Sequence, residues 1–503
     1  MTDLRARPRT LVRRDHRPAS ASANIVGLAL LFTAAGMAVC AVLARATDDD
    51  GWGPLTGSAA GAAVLGAALW RGTRMPARVS TASAFSAVGW TWIAISVAGA
   101  LPFWWSGMLP ALDDAVFESI SGFTGTGATV LTPIEGRGRG LLMWRQMTQW
   151  YGGMGVIVLA VAVLPLLGVG GFELLRAESP GPTSDRLAPR VSETAKRLWL
   201  VYLGISVLIT GALVAAGMSL YDAAAHAMTT VSTGGLSPYD RSIATFDSLP
   251  IELVLVASML VGAISFALWW QVAVGRGRRA LGQSSELRTF LALFAGAVAV
   301  VTVVLATDGA AVASALRGAA FTVAATISTT GFATDDFGVW PAAAQLVLVG
   351  LMVSGGMAGS TSGAVKLFRV EVMAADALRE LKRVSQPRAV LPLKLGGQVV
   401  PEDIVSRIVG FFVLYVVLAI VGTVMLAGFG ADLATAAGSI ISAIGNVGPG
   451  LGETGPVFTY LALDRPSRAI VAIYMLLGRL ELFTLLLMFA APYRALRLRR
   501  YRE

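Results

Sequence analysis

Four short stretches of this chain carry residue types that can strip and hold a cation. They are Thr124-Gly125-Thr126-Gly127-Ala128, Ser232-Thr233-Gly234-Gly235-Leu236, Ser328-Thr329-Thr330-Gly331-Phe332 and Asn446-Val447-Gly448-Pro449-Gly450. A dehydrated cation needs oxygens in place of its water shell, and a ring of backbone carbonyls supplies them in ion-selective pores. Carbonyls converge on one axis only through unusual backbone dihedrals, which glycine tolerates. Taking Gly127, Gly234, Gly331 and Gly448 as equivalent, the spacings are 107, 97 and 117 residues. Loops at matching positions after matching apolar stretches read as a fourfold internal repeat rather than as separate turns. The expected ion-contacting residues are Thr126, Gly127, Thr233, Gly234, Thr330, Gly331, Val447 and Gly448.

The elements that must position these loops are membrane helices. The 503 residues are 55% hydrophobic and only 14% charged, against about 25% charged in soluble chains. Mean hydropathy is +0.68. Several apolar runs are about twenty residues long, enough to cross a bilayer as helices. The fold class is therefore an all-α polytopic membrane protein. The net charge of +9 comes from short basic clusters between apolar runs, the pattern of cytosolic loops and not of a nucleic-acid surface. One cysteine, Cys40, excludes an internal disulfide. With only His16 and His226, a zinc site is not expected. No nucleophile–base cluster, Walker loop or Rossmann fingerprint is present, so neither an enzyme nor a cofactor is expected in this chain.

In order, residues 1–23 form a basic tail carrying Arg5, Arg7, Arg9, Arg13, Arg14 and Arg17, and 24–78 hold two extra spans, at 24–44 and 55–70. Four units follow over 79–175, 176–282, 283–394 and 395–503. Each reads as span, half-helix, loop, span. The spans fall at 81–102 and 141–165, 198–216 and 251–274, 290–306 and 342–366, and 408–428 and 467–490. The half-helices fall at 112–121, 221–232, 313–328 and 432–445. They are too short to cross, and fit re-entrant segments buried in protein. With this topology 31 of the 40 Lys and Arg residues fall on one side, which places both termini in the cytosol and the chain in the cytoplasmic membrane. Trp104, Trp105 and Trp340 fall at outer boundaries, Trp269 and Trp270 at an inner one.

Helix–pore loop–helix repeated four times, with one glycine per loop, resembles the Trk/Ktr/HKT superfamily of potassium transporters. Phe117-Glu118-Ser119-Ile120-Ser121-Gly122-Phe123 resembles its first pore helix, and Gln149-Trp150-Tyr151-Gly152-Gly153-Met154-Gly155 the start of the next helix. The resemblance covers roughly 80–490, and the extra N-terminal pair favours the TrkH-type branch. It implies potassium as substrate, with Gly127, Gly234, Gly331 and Gly448 lining a filter. In plant relatives Ser at the first of these positions goes with sodium transport; here it is Gly. The chain departs from the bacterial pattern at Gly125, where Thr is usual. The resemblance also implies a homodimer in membrane lipid and a cytosolic ring of Rossmann-type nucleotide-binding subunits, expected to dock on the basic loops 176–197 and 366–407. An ion-coupled symporter, or one that carries sodium as well as potassium, is the competing reading.

Two further features lie below the filter level. Gly355, Gly356, Gly359, Ser360, Thr361, Ser362 and Gly363, ending at Lys366, make a glycine-rich interruption of the unit-three helix. Glycines spaced by four fit close helix packing, whereas a broken helix at membrane depth fits the wall of a watery cavity. Arg479 lies in the last span, where a charge costs about 2.5–3.5 kcal/mol and marks a functional site by default. A structural ion pair with another helix is the alternative, and Glu481, two residues on, is not an intrahelical partner. The resemblance implies that the Gly355–Gly363 stretch is a gating loop and that Arg479 projects into the pore.

Overall fold

The computed structural model describes residues 18–73, 81–162, 187–389 and 391–480. Most of the expected basic tail, Arg74, Arg78, the first part of the 176–197 loop, Glu481 and the end of the last span with the C-terminal tail lie outside these residues.

The two extra helices are α1 (Pro18–Ala46) and α2 (Trp52–Gly72), which pack as a hairpin against the first repeat. Repeat one is α3 (Thr81–Trp105), the half-helix α4 (Leu112–Thr124) and α5 (Arg139–Ala162). Repeat two is α6 (Leu187–Ala215), the half-helix α7 (Leu220–Val231), α8 (Leu249–Ala263) and α9 (Phe266–Ala273). A short α10 (Gly277–Gln283) leads to repeat three: α11 (Ser285–Thr307), the half-helix α12 (Val312–Ile327), α13 (Ala342–Ser354) and α14 (Leu367–Ser385). A small hairpin of β1 (Lys394–Leu395) and β2 (Gln398–Val399) precedes repeat four, which is α15 (Glu402–Gly428), the half-helix α16 (Leu433–Gly445) and α17 (Arg465–Arg479).

Among the described residues, five helices are long and apolar enough to cross a bilayer, six if the bent pair α8–α9 counts as one. The distribution of apolar side chains is that of a membrane protein. Val413, Val417, Ile420 and Val424 of α15, and Val207 and Leu208 of α6, are exposed. The half-helices are buried toward their C-terminal ends instead: in α4 every residue from Phe117 to Thr124 is, hydroxyls included, while Leu112, Leu220, Val312 and Leu433 in the first turns are exposed. A short helix buried this way satisfies its own backbone and hides its free C-terminal end in protein, as membrane depth requires. Capping sets where these pieces start. The Asp432 side chain accepts from the amides of Ala434 and Thr435, and Ser219 accepts from Asp222 N, each taking up orphan N–H groups of a first turn.

One span expected to be continuous is not, and the interruption expected in another is present. The 251–274 segment bends by 102° between α8 and α9, and the 342–366 segment leaves the helix after Ser354. The two breaks satisfy each other. Met357 N donates to Ala263 O at 2.9 Å and Phe266 N donates to Gly359 O at 3.0 Å. Each interruption thus takes up backbone groups that the other sets free, which is how broken helices are tolerated at membrane depth. Trp269 Nε1 ties α9 back to Val261 O of α8 at 2.9 Å.

Candidate functional site

The four half-helices end in one repeated backbone device. Gly125, Thr233, Thr329 and Asn446 take left-handed φ values of 64°, 53°, 57° and 51°. Their amides bond three residues back, to Gly122, Thr230, Thr326 and Ala443 carbonyls. The next amides, of Thr126, Gly234, Thr330 and Val447, bond five residues back at 2.8–3.0 Å. This is a Schellman-type helix end. One residue further on come Gly127, Gly235, Gly331 and Gly448, with φ of 85°, 74°, 78° and 108°. Glycine takes such a left-handed φ without strain, and neighbouring carbonyls leave no room there for a Cβ. The backbone therefore makes Gly235, not Gly234, the equivalent of the other three glycines. Gly234 takes the middle position held elsewhere by Thr126, Thr330 and Val447. The same four glycines line one cavity of about 280 Å³.

The loops close into a ring. A Cβ at Gly127 would strike the carbonyl oxygen of Gly234, and one at Gly235 that of Thr330. A Cβ at Gly331 would strike the carbonyl of Val447, and one at Gly448 would lie 2.7 Å from that of Thr126. Loop one thus abuts loop two, two abuts three, three abuts four and four abuts one. Each contact joins a left-handed glycine to the middle carbonyl of the next loop.

Side chains brace each loop differently. Thr124 and Thr126 hydroxyls are 2.7 Å apart, as are those of Ser328 and Thr330. Asn446 Nδ2 donates to Thr126 Oγ1 at 3.0 Å and to Met475 O at 2.9 Å. Ser442 Oγ and Tyr460 OH both donate to Gly448 O at 2.8 Å. Behind loop one, the buried Glu118 accepts from Arg145 Nε at 2.6 Å, from Thr129 Oγ1 and from Val130 N, while Arg145 Nη1 reaches Ser237 O at 2.8 Å. His226 makes packing hydrogen bonds to Asp222 O and Ser237 Oγ.

Beneath the ring, residues 355–366 form an irregular loop between α13 and α14. It is non-helical, so the glycines do not form a helix-packing face. Gly355 and Gly359 have φ of 66° and 76°. Gly356 and Gly363 are sites of close approach, to Ala263 O and Gly445 O. The loop reaches the foot of three repeats. Thr361 Oγ1 donates to Val231 O at 2.9 Å, Gly363 N donates to Thr329 Oγ1 at 2.7 Å, and Gly363 packs on Gly445. Ser360 and Ser362 hydroxyls are 2.7 Å apart, and Lys366 Nζ donates to the carbonyls of both residues. Glu286 of α11 accepts from Ala358 N at 2.7 Å.

Arg479 completes this floor. It is 4% exposed, and its Nη1 donates to Thr361 O at 2.8 Å. Its Nε and Nη2 have no partner among the described residues. The guanidinium lies under loop one, with Nη2 3.2 Å from where a Gly125 Cβ would be. No carboxylate pairs with it among the described residues, so the ion-pair alternative is not what the described structure contains.

All the residues named from sequence for filter and gate are therefore gathered in two layers, ring above and loop with Arg479 below. Sequence reasoning left Arg145 and Gln149 without roles, although Gln149 opens a motif already noted and Arg145 lies four residues before it.

The family model described as "TrkH: Cation transport protein" matches residues 56–496. The Trk system potassium uptake protein TrkH of Escherichia coli K12 is 36% identical over 475 residues, covering 93% of this chain and 98% of that protein. TrkH of Halomonas elongata is 40% identical over 407 residues, 80% of this chain and 84% of that one. The crystal structure of the potassium transporter TrkH from Vibrio parahaemolyticus superposes with a TM-score of 0.86 at 32% identity, covering 93% and 98% of the two chains.

Proposed function

This chain belongs to the TrkH family of cation transport proteins, and from that premise we propose that it carries potassium into the cell across the cytoplasmic membrane, with both termini in the cytosol. The ring in which Gly127, Gly235, Gly331 and Gly448 each abut the middle carbonyl of the next loop carries this reading. Four loops in such a cycle place equivalent carbonyls around one axis, the arrangement that replaces an ion's hydration shell. The half-helices behind them end at the ring, and a helix C-terminus favours a cation. The 355–366 loop and Arg479 are the gate: loop and guanidinium lie where an ion leaving the ring must pass.

We further propose a homodimer in the membrane and a cytosolic ring of Rossmann-type nucleotide-binding subunits as regulator. The basic 366–407 region is its docking place. There α14 leaves Leu378, Leu381 and Val384 exposed, a surface a protein partner can cover. Ion-coupled symport, or transport of sodium beside potassium, is the second reading. Its support is that the loops are braced unequally: Gly448 O accepts from both Ser442 and Tyr460, and loop one carries Gly125 where Thr is usual.

Growth rescue of a potassium-uptake-deficient cell, with rubidium and sodium as competitors, tests the function. Rescue at low potassium, competed by rubidium and not by sodium, is expected. Failure to rescue by a protein shown to reach the membrane would overturn it, and equal competition by sodium would favour the second reading.

A further inference from the structure

Loop two lacks the side chain with which loops one and three brace themselves. In those loops the middle residue is a threonine whose hydroxyl meets a neighbour two residues back, Thr126 with Thr124 and Thr330 with Ser328. In loop two the middle residue is Gly234, which has no hydroxyl to offer. Its carbonyl is nevertheless held. Gln149, on α5 of repeat one and fully buried, donates from Nε2 to Gly234 O at 2.6 Å. Its Oε1 accepts from Leu236 N at 3.1 Å. One side-chain amide thus spans the loop on both sides of Gly235.

The fit is steric as well as polar. A Cβ at Gly234 would run into Cδ, Oε1 and Nε2 of Gln149. The amide therefore fills the volume that a threonine at 234 would claim. Two glycines just beyond Gln149 bring α5 close enough: a Cβ at Gly152 would strike Phe123 O, and one at Gly153 would meet Ser232 Cβ at 2.7 Å.

We propose that Gln149 is a specificity-determining positioning residue of the cation filter, standing in from another repeat for the side chain that loop two lacks. Two effects follow. The bridge fixes the orientation of the Gly234–Gly235 peptide, whose carbonyl belongs to the ring. The donated hydrogen bond also draws electron density from Gly234 O, so one of four equivalent carbonyls presents a weaker field to the ion. Number and field strength of coordinating carbonyls are among the quantities that separate potassium from sodium. The inference rests on the filter reading above.

The test uses the full-length protein, purified and reconstituted in liposomes, with rubidium uptake competed by potassium and by sodium. Wild-type uptake competed by potassium comes first; its absence sinks the filter reading, not the role of Gln149. Given that uptake, Gln149→Leu keeps the bulk but loses both hydrogen bonds. It is expected to lower potassium-over-sodium discrimination by about fivefold or more, the order a lost hydrogen bond sets. Discrimination equal to wild type in monodisperse Q149L overturns the proposal. A second pair of variants reads the steric match independently of whether Q149L folds. Gly234→Thr alone should abolish uptake or selectivity, because it collides with Gln149. Combined with Gln149→Ala, which vacates that space, it should recover part of both. A double variant no better than G234T in folding, uptake and selectivity overturns the substitution of one side chain for the other.

Discussion

Arg479 Nη1 lies 2.8 Å from the carbonyl oxygen of Thr361, so the last described helix holds the centre of a loop 118 residues earlier in the chain. In the proposed gate, this single guanidinium would oppose an ion in two ways. It places positive charge beneath the ring, and it pins the irregular loop from below. Arg479→Ala is expected to raise cation flux several-fold in liposomes. Arg479→Lys separates the two effects, because it keeps the charge and loses the planar donor fork. If charge dominates, Lys matches wild type; if anchoring dominates, Lys matches Ala. Loss of folding in R479A, restored by a change at a neighbouring carboxylate, would make Arg479 a structural residue instead.

The ring glycines make a second expectation. Gly127→Ser puts a Cβ against Gly234 O at a residue with φ of 85°. A left-handed conformation alone costs a non-glycine residue about 1–2 kcal/mol, so the loop must shift. Discrimination between potassium and sodium should fall by about tenfold, an amount set by a comparable free energy. Gly235→Ala should do the same through Thr330 O. Flux ratios unchanged in both variants would remove these glycines from the filter.

Removing residues 355–362 takes away the backbone that docks on the α8–α9 corner and the Thr361 carbonyl that Arg479 holds. The deletion should leave a folded protein with raised and less regulated flux. A well-expressed deletion with no flux would show that the loop supports the pore instead of closing it.

The Glu118–Arg145 pair ties the middle of α4 to α5 and, through Ser237 O, to repeat two. Both side chains are 1% exposed. Removing one charge from such a pair costs about 3–5 kcal/mol because the other is left buried alone. Glu118→Gln and Arg145→Met should each lower the melting temperature of the detergent-solubilised protein markedly. The double variant should be less destabilised than the sum of the two. Additive losses would mean that the pair is not energetically coupled.

Much of this arrangement was legible in the residues. The half-helices, the four loops and the interruption at Gly355 were marked by length, by glycine and by the absence of large aliphatic side chains. The register of loop two was misread by one residue, though the signal was present. Aligning Ser232-Thr233-Gly234-Gly235-Leu236 with Ser328-Thr329-Thr330-Gly331-Phe332 from their first residues pairs Gly235 with Gly331. Two adjacent glycines hid it, since either could take a left-handed φ. The bend between α8 and α9 carried only a weak local mark, the single glycine Gly262. Ile264 and Ser265 are neither Gly nor Pro, and what stabilises the break is a pair of hydrogen bonds from a loop about ninety residues away in sequence. Tertiary partners of that kind, like Gln149 for Gly234, have no periodicity to betray them.

The ring is written into one polypeptide, and this gives it a freedom that a pore of identical subunits lacks. In a homotetramer any substitution in the filter appears four times, so its effect on the ion arrives all at once. Here each of the four glycine–carbonyl contacts involves a different pair of residues. A single codon change falls on one of these contacts and not on four, and it reaches the next loop only through the carbonyl it abuts. Ion preference in such a chain can drift in small increments, each exposed to selection separately.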